Sequence, residues 1–311
     1  MNLGISTWVW TSPASTEVLE DLIPHIANLG FDVIELPVEA PGQFDLGRAR
    51  TLAEQHGLGI SVCAVIGEGR DLLLEDQAPQ GISYLRDCID IAAQLGASTL
   101  VGPFYSAVGR CWRATADERA RDTERLVDTL RDLSSLAAER GVSLGIEPLN
   151  RFETSFLNTT KQAIDIVEHV DHPALGLSLD LFHMGIEEKS PGDAVRQAGQ
   201  RLLHVQVAEN DRGTPGTGHL PWSDVASALH EIGYKGYVVI ETFSERVDAI
   251  ARAASIWRPL ASSPDTLARD GLHFLRTLFD RQESQLEQQG SQLEQQGSQP
   301  GQQGSHSEKK Q

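Results

Sequence analysis

Three carboxylates and one amide in the second half of the chain share a placement that points to chemistry. Glu147, Asp180 and Glu241 each close an almost wholly apolar run, SLGIE, LGLSLD and YVVIE, and Gln206 lies near the end of a fourth, LLHVQV. A carboxylate buried at the end of such a run carries a desolvation cost unless it is paired or binds a cation. If the runs lie side by side, the acids also repel one another. A hard divalent cation with oxygen ligands relieves both penalties, and Mn²⁺ or Mg²⁺ suits such donors. The bland alternative is that each acid only caps a helix or pairs with an arginine. That reading weakens when three acids occupy matching positions.

The flanking residues add to this set. Glu153 follows Glu147 by six in EPLNRFE, His183 follows Asp180 by three, and Arg212 follows Gln206 by six in ENDRG. Placed in loops above the runs, they offer an acceptor, an imidazole and a cation, which suits a polyhydroxylated substrate.

Positioning these residues requires a scaffold. Short β-branched runs recur at Leu3–Thr7, Asp32–Leu36, Gly59–Val65, Ser98–Val101, Val142–Glu147, Leu175–Asp180, Leu202–Val207 and Gly236–Glu241. Helical periodicity fills the gaps. Glu17–Leu29 lines up Leu19, Leu22, Ile23 and Ile26, and Asp117–Arg140 lines up Leu126, Leu130, Leu133 and Leu136. Glycines at 30, 57, 96, 141 and 233 mark helix ends before strands. Eight strands alternating with about eight helices predict a single (β/α)₈ TIM barrel, an α/β fold, over residues 1–281. Catalytic groups then belong at the C-terminal strand ends. Ser263–Phe279 reads as an extra C-terminal helix presenting Leu267, Leu272, Leu275 and Leu278.

The chain has 311 residues, with 26 Lys plus Arg against 44 Asp plus Glu, a net charge of −18. Such acidity disfavours nucleic acid and anionic membrane as partners. No apolar run is long enough to span a bilayer, and no Lys or Arg precedes Arg48 to begin a signal peptide. Cys63, Cys88 and Cys111 form no disulfide or zinc pattern. A cytoplasmic protein is expected, so the sequon Asn158-Thr159-Thr160 reads as a helix cap. After Arg281 come SQLEQQG, SQLEQQG and SQPGQQG, so 282–311 reads as a disordered Gln-rich tail. The tail holds four Glu and two Lys, leaving −16 on the body.

Over residues 1–280 the sequence resembles the metal-dependent ketose 3-epimerases (of D-tagatose, D-allulose and L-ribulose) among xylose-isomerase-like barrels. The resemblance rests on Thr7-Trp8-Val9-Trp10, Gly69-Arg70-Asp71-Leu72, Glu147-Pro148 with Asn150 and Glu153, Asp180 with His183, Asn210-Asp211-Arg212-Gly213 and Glu241-Thr242-Phe243. It implies metal ligation by Glu147, Asp180, the strand-7 position and Glu241, with Mn²⁺ first and Mg²⁺ or Co²⁺ able to substitute. The family normally has His on strand 7, whereas this chain has Gln206. An amide oxygen is a hard neutral donor and can serve. His204, two residues earlier on the same face, is the fallback. The implied reaction inverts C3 of a free ketose through a metal-stabilised cis-enediolate, with Glu147 and Glu241 exchanging protons on opposite faces. Glu153 and His183 would serve the sugar oxygens, Arg212 the O1–O2 end, and Phe243, Trp8 and Trp112 the walls. A homodimer or homotetramer is also implied.

Competing readings are a related sugar or sugar-phosphate isomerase, a keto-sugar dehydratase or lyase, a metal-dependent endonuclease of similar barrel, and a non-catalytic sugar-binding barrel. The acidic body and the absence of a His-rich ligand set oppose the nuclease. Gly67-Glu68-Gly69 and Gly213–Gly218 lack the spacing of phosphate loops and read as mouth loops over a substrate.

Overall fold

Parallel pairing of eight short strands, each followed by helix, closes the chain on itself. The computed structural model describes residues 1–244, 251–252 and 254–297, with side chains as far as Gln282. The strands are β1 (Asn2–Ser6), β2 (Val33–Pro37), β3 (Gly59–Cys63), β4 (Thr99–Gly102), β5 (Ser143–Ile146), β6 (Leu175–Asp180), β7 (Leu202–Val207) and β8 (Tyr237–Ile240). Their order is sequential, and β8 pairs with β1 through Asn2↔Tyr237 to Ile5↔Ile240, so the barrel is closed. The outer helices are α1 (Thr16–Leu29), α2 (Leu46–Gln55), α3 (Ala78–Leu95), α4 (Ala116–Glu139) and α5 (Thr160–Val170). They continue with α6 (Leu181–Glu187), α7 (Pro191–Ala198), α8 (Trp222–Glu231) and α9 (Pro264–Gly297).

The apolar stripes read from sequence are the faces laid on the barrel. Leu19, Leu22, Ile23 and Ile26 of α1 are buried, as are Leu126, Leu130 and Leu133 of α4, with Leu136 partly covered. Each buried Leu or Ile contributes about 1.5–3 kcal/mol relative to exposure. Caps match the sequence signals. Gly30 and Gly96 end α1 and α3 at φ 99° and 75°, a region a Cβ disfavours. Thr159 caps α5 in a capping box with Gln162, while Asn158 Nδ2 donates to the carbonyls of Leu149 and Thr154. The sequon is thus a helix start.

One irregularity positions the site. Between β6 and β7 the register steps from Leu177↔Leu202 to Ser178↔His204, so Leu203 is the extra residue of a bulge. From there Asp180 pairs with Gln206. Regular pairing would have set Val205 beside Asp180 and turned Gln206 to the other face.

α9 packs on α8 and β1 and buries Leu267, Leu272 and Leu275. It continues past Phe279 to Gly297, through the first two SQLEQQG repeats, where the sequence reading ends the helix earlier. Gln, Leu and Glu are good helix formers and carry it past the glycines. Residues 298–311, the rest of the expected tail, lie outside the described residues. Among the described residues no helix is long and apolar enough to cross a membrane.

Candidate active site

The C-terminal strand ends bring the expected carboxylates together. Glu147 and Glu241 directly follow β5 and β8, and Asp180 is the last residue of β6; all three are buried. Burial pushes the Glu147 carboxyl well above its ordinary range, and Glu241 and Asp180 push it further. Glu241 is raised to about 8, first by burial and then by Asp180 and Glu35, against the opposing pull of Arg212. Glu241, so raised, can accept or return a proton near physiological pH, and Glu147 is shifted in the same direction.

Arg212 is the counter-charge. Its Nη1 bonds Asp180 Oδ2, and Nη2 lies 2.9 Å from Glu241 Oε2. Burial works against its charge, but Asp180 and Glu241 outweigh that and raise its pKa. Its guanidinium lies over the rings of Phe182 at 4.4 Å and Phe243 at 5.0 Å. Arg212 adopts φ 67°, a left-handed conformation that costs a non-glycine residue roughly 1–2 kcal/mol. The surroundings impose it: Arg212 N donates to the Glu209 carbonyl at 2.8 Å, and the Thr242 hydroxyl donates to the Arg212 carbonyl.

His183 is expected in a mouth loop but occupies the first turn of α6, because the Asp180 side chain accepts from Phe182 N at 2.9 Å and starts a helix there. Burial lowers its pKa, so it is neutral at pH 7. Nδ1 accepts from Asn150 N at 3.2 Å and from Asn150 Nδ2 at 2.8 Å, which places the proton on Nε2. That Nε2–H lies 3.5 Å from Asp180 Oδ2 and 3.6 Å from Glu147 Oε1. Arg212 Nη2, 3.4 Å away, is then a close contact between two donors. Asn150 Nδ2 also donates to Glu153 Oε1 at 2.8 Å, which fixes that carboxylate beside the imidazole.

Trp8 and Phe243 face each other with centroids 5.5 Å apart. Trp8, Glu39, Cys63, Gly67, Glu68 and Arg70 line an adjoining cavity of about 260 Å³, so the Gly67-Glu68 segment is a mouth loop as expected. Cys63, Glu35 and Glu241 offer ligand atoms within 4.8 Å of one another, as do Glu147, Asp180 and His183. This joins the cavity to the carboxylates.

The whole frame has counterparts among known proteins. The chain matches a family described as xylose isomerase-like TIM barrel over residues 23–278. It is 32% identical over 281 residues to a probable ketose 3-epimerase from Synechocystis sp., covering 90% of this chain and 97% of that protein. The chain belongs to the ketose 3-epimerase family. Further relatives agree with this membership. A D-psicose 3-epimerase from Ruminiclostridium cellulolyticum is 33% identical over 78% of this chain and 84% of its own. A solved L-ribulose 3-epimerase superposes with TM-score 0.87 at 28% identity, covering 92% and 98% of the two chains. Ketose 3-epimerases are isomerase-class enzymes, carbohydrate epimerases, and this family membership makes the chain one of them.

Against the family expectation two residues stand apart. Trp112 is 48% exposed and stacks on the Arg110 guanidinium at 4.3 Å rather than on the Arg212 cluster. His204 Nε2 lies 2.9 Å from Glu35 Oε2, so it is directed at β2, although the angle makes no hydrogen bond. Glu35 itself is the residue that sequence reasoning missed. It is fully buried inside β2, with Leu36 and Pro37 still to follow, and a rule that inspects strand ends passes over it. The acid inside DVIEL was the available signal.

Glu209 holds the loop that carries Arg212. Its Oε1 accepts from Asn210 N at 3.2 Å and Leu220 N at 3.0 Å, and its Oε2 from Gly216 N and Trp222 Nε1, both at 2.9 Å. Burial alone would raise its pKa, but these donors outweigh burial and lower it. A lowered carboxyl contributes stability above the unfolded value of about 4.3, which is lost as pH falls through the folded value. Thermal unfolding followed downward from pH 6 should therefore show an acid-dependent loss that Glu209→Gln reduces. Identical pH profiles for variant and wild type would refute this role.

Proposed function

We propose that the protein is a ketose 3-epimerase acting on free ketoses, with Glu147 and Glu241 as the two proton-exchanging groups. The carrying observation is the pair of buried carboxyls, both shifted upward, that close β5 and β8 on either side of Asp180 and Arg212. Inversion at one carbon needs a group on each face, one taking the C3 proton as the other returns one. The neutral Nε2–H of His183 donates to a sugar oxygen, and Arg212 holds the O1–O2 end. Glu153, fixed by Asn150, accepts from a sugar hydroxyl. Trp8 and Phe243 exclude water from the reacting face.

The donor set fits a hard divalent cation, Mn²⁺ first. Glu147, Asp180, Gln206 and Glu241 would hold it, and Gln206 Oε1 is a buried acceptor with no partner. When bound, the cation would supply Lewis acidity that lowers the pKa of the hydrogen beside the carbonyl. The adjoining cavity carries Glu39 and Glu68 against Arg70, a balance that favours an uncharged sugar over a phosphate ester.

The test is incubation of Mn²⁺-loaded protein with D-fructose, D-tagatose, L-ribulose and a ketose phosphate in deuterated water. Deuterium at C3 with inversion, on the free sugars, is the expected result. Exchange at C1 alone would reassign the enzyme as an aldose–ketose isomerase, and no exchange on any sugar would reduce it to a binding protein.

A further inference from the structure

Glu35 lies beneath the expected ligands and touches no position assigned to substrate. Its carboxylate is fully buried, with one oxygen accepting from Gln206 Nε2 at 3.1 Å and the other from Ser61 Oγ at 3.2 Å. Strand register holds it there, since Glu35 pairs with Ser6 on β1 and Ser61 on β3. Gln206 Nε2 donates a second time, to Glu241 Oε1 at 2.9 Å. The two ends of an amide are nearly isosteric, so its orientation is decided by its partners. An atom facing two carboxylate oxygens must be the nitrogen. Both amide hydrogens are thereby used, and Oε1 is left as a buried acceptor without a partner. A desolvated, unpaired acceptor costs about 1–3 kcal/mol unless something satisfies it.

We propose that Glu35 is a positioning residue for the cation centre: it locks the Gln206 amide so that the oxygen, not the NH₂ group, is presented as a ligand. Were the amide reversed, its NH₂ would face the cation and its oxygen would face two carboxylates. Glu241 alone leaves one amide hydrogen unassigned; Glu35 takes it and makes the nitrogen side unambiguous. This inference rests on the cation centre of the proposed epimerase, and its test reads metal binding rather than turnover.

Mn²⁺ affinity is measured by electron paramagnetic resonance on the full chain. The variants are Glu35→Gln and Glu35→Asp, each made in the wild-type and Gln206→Met backgrounds. Both Glu35 variants should weaken Mn²⁺ binding by roughly 10- to 100-fold where Gln206 is present, the usual effect of losing a partner that orients a ligand. In the Gln206→Met background they should change affinity by no more than about twofold, as expected of residues acting through one side chain. Glu35→Asp keeps the charge, so its loss separates position from Coulomb attraction. Equal losses in both backgrounds would overturn the inference, because Glu35 would then act without passing through Gln206. Unchanged affinity in the Glu35 variants overturns it too, while leaving the cation centre intact. A wild-type chain that binds no Mn²⁺ removes the cation centre and this inference together. Tight Mn²⁺ binding without epimerisation removes only the proposed activity. Thermal midpoints of the metal-free variants verify folding, and Ser61→Ala, which frees one Glu35 oxygen, should give a smaller loss in the same direction.

Discussion

In a Glu241→Gln variant, interconversion of C3 epimers falls by roughly 10³- to 10⁴-fold at saturating Mn²⁺, the scale expected when one of two acid–base groups is removed. Gln keeps the volume and one hydrogen-bonding oxygen, so the barrel holds its shape. The group has its importance because burial and Asp180 raise it to about 8, leaving it able to carry or release a proton near neutral pH. The partial reaction is more telling than the net rate. If the two carboxyls work on opposite faces, Glu147 is still present and still exchanges the C3 hydrogen of whichever epimer presents it. Deuterium should then wash into one epimer and not the other, and Glu147→Gln should show the opposite preference. Equal residual exchange on both epimers in either variant would mean that a single group serves both faces, which refutes the two-base arrangement. NMR of the C3 position in deuterated water reads both quantities.

Arg110→Leu is the largest expected loss of stability. Arg110 is buried between Asp71, 3.5 Å from its Nε, and Asp122, 2.8 Å from its Nη2. Removing the cation leaves two buried carboxylates unpaired, a change that costs about 3–5 kcal/mol. At roughly 2–4 °C per kcal/mol for a chain somewhat smaller than this one, the thermal midpoint should drop by on the order of 10 °C. The effect should shrink at acid pH, because burial already raises the Asp71 carboxyl and its protonation removes the stranded charge. A drop that is the same at pH 4 and pH 7 would show that packing, not charge, is what Arg110 provides. The consequence reaches the mouth. Asp71 also accepts from Leu73 N at 2.8 Å and Ala107 N at 3.2 Å, joining the loop after β3 to the loop after β4. Trp112, stacked on Arg110, loses its support in the same variant. This network gives the Gly69-Arg70-Asp71-Leu72 motif a structural purpose.

Much of the frame was legible from the chain alone. Each β-branched run and each helical stripe states locally which face is apolar, and burial of those faces on one another leaves few arrangements besides a closed barrel. Strand polarity then places Glu147, Asp180 and Glu241 at one mouth, because all eight strands are parallel and end on the same side. Arg212, Glu153 and His183 followed from their distance beyond those ends. What could not be read was anything that depends on register or on contacts distant in sequence. The period of two along β7 says that His204 and Gln206 share a face, but only the bulge between β6 and β7 brings Gln206 beside Asp180. Glu35 is separated from Gln206 by 171 positions, and nothing in DVIEL indicates which amide it meets. The Asn150 contacts that set the tautomer of His183 likewise come from a neighbour 33 residues away. The sequence by itself determined the barrel and which acids end its strands, since both follow from local hydrophobic pattern and chain direction. The tertiary structure alone decided which atoms of those residues face one another, because strand pairing and loop packing set orientation through contacts that no local pattern encodes.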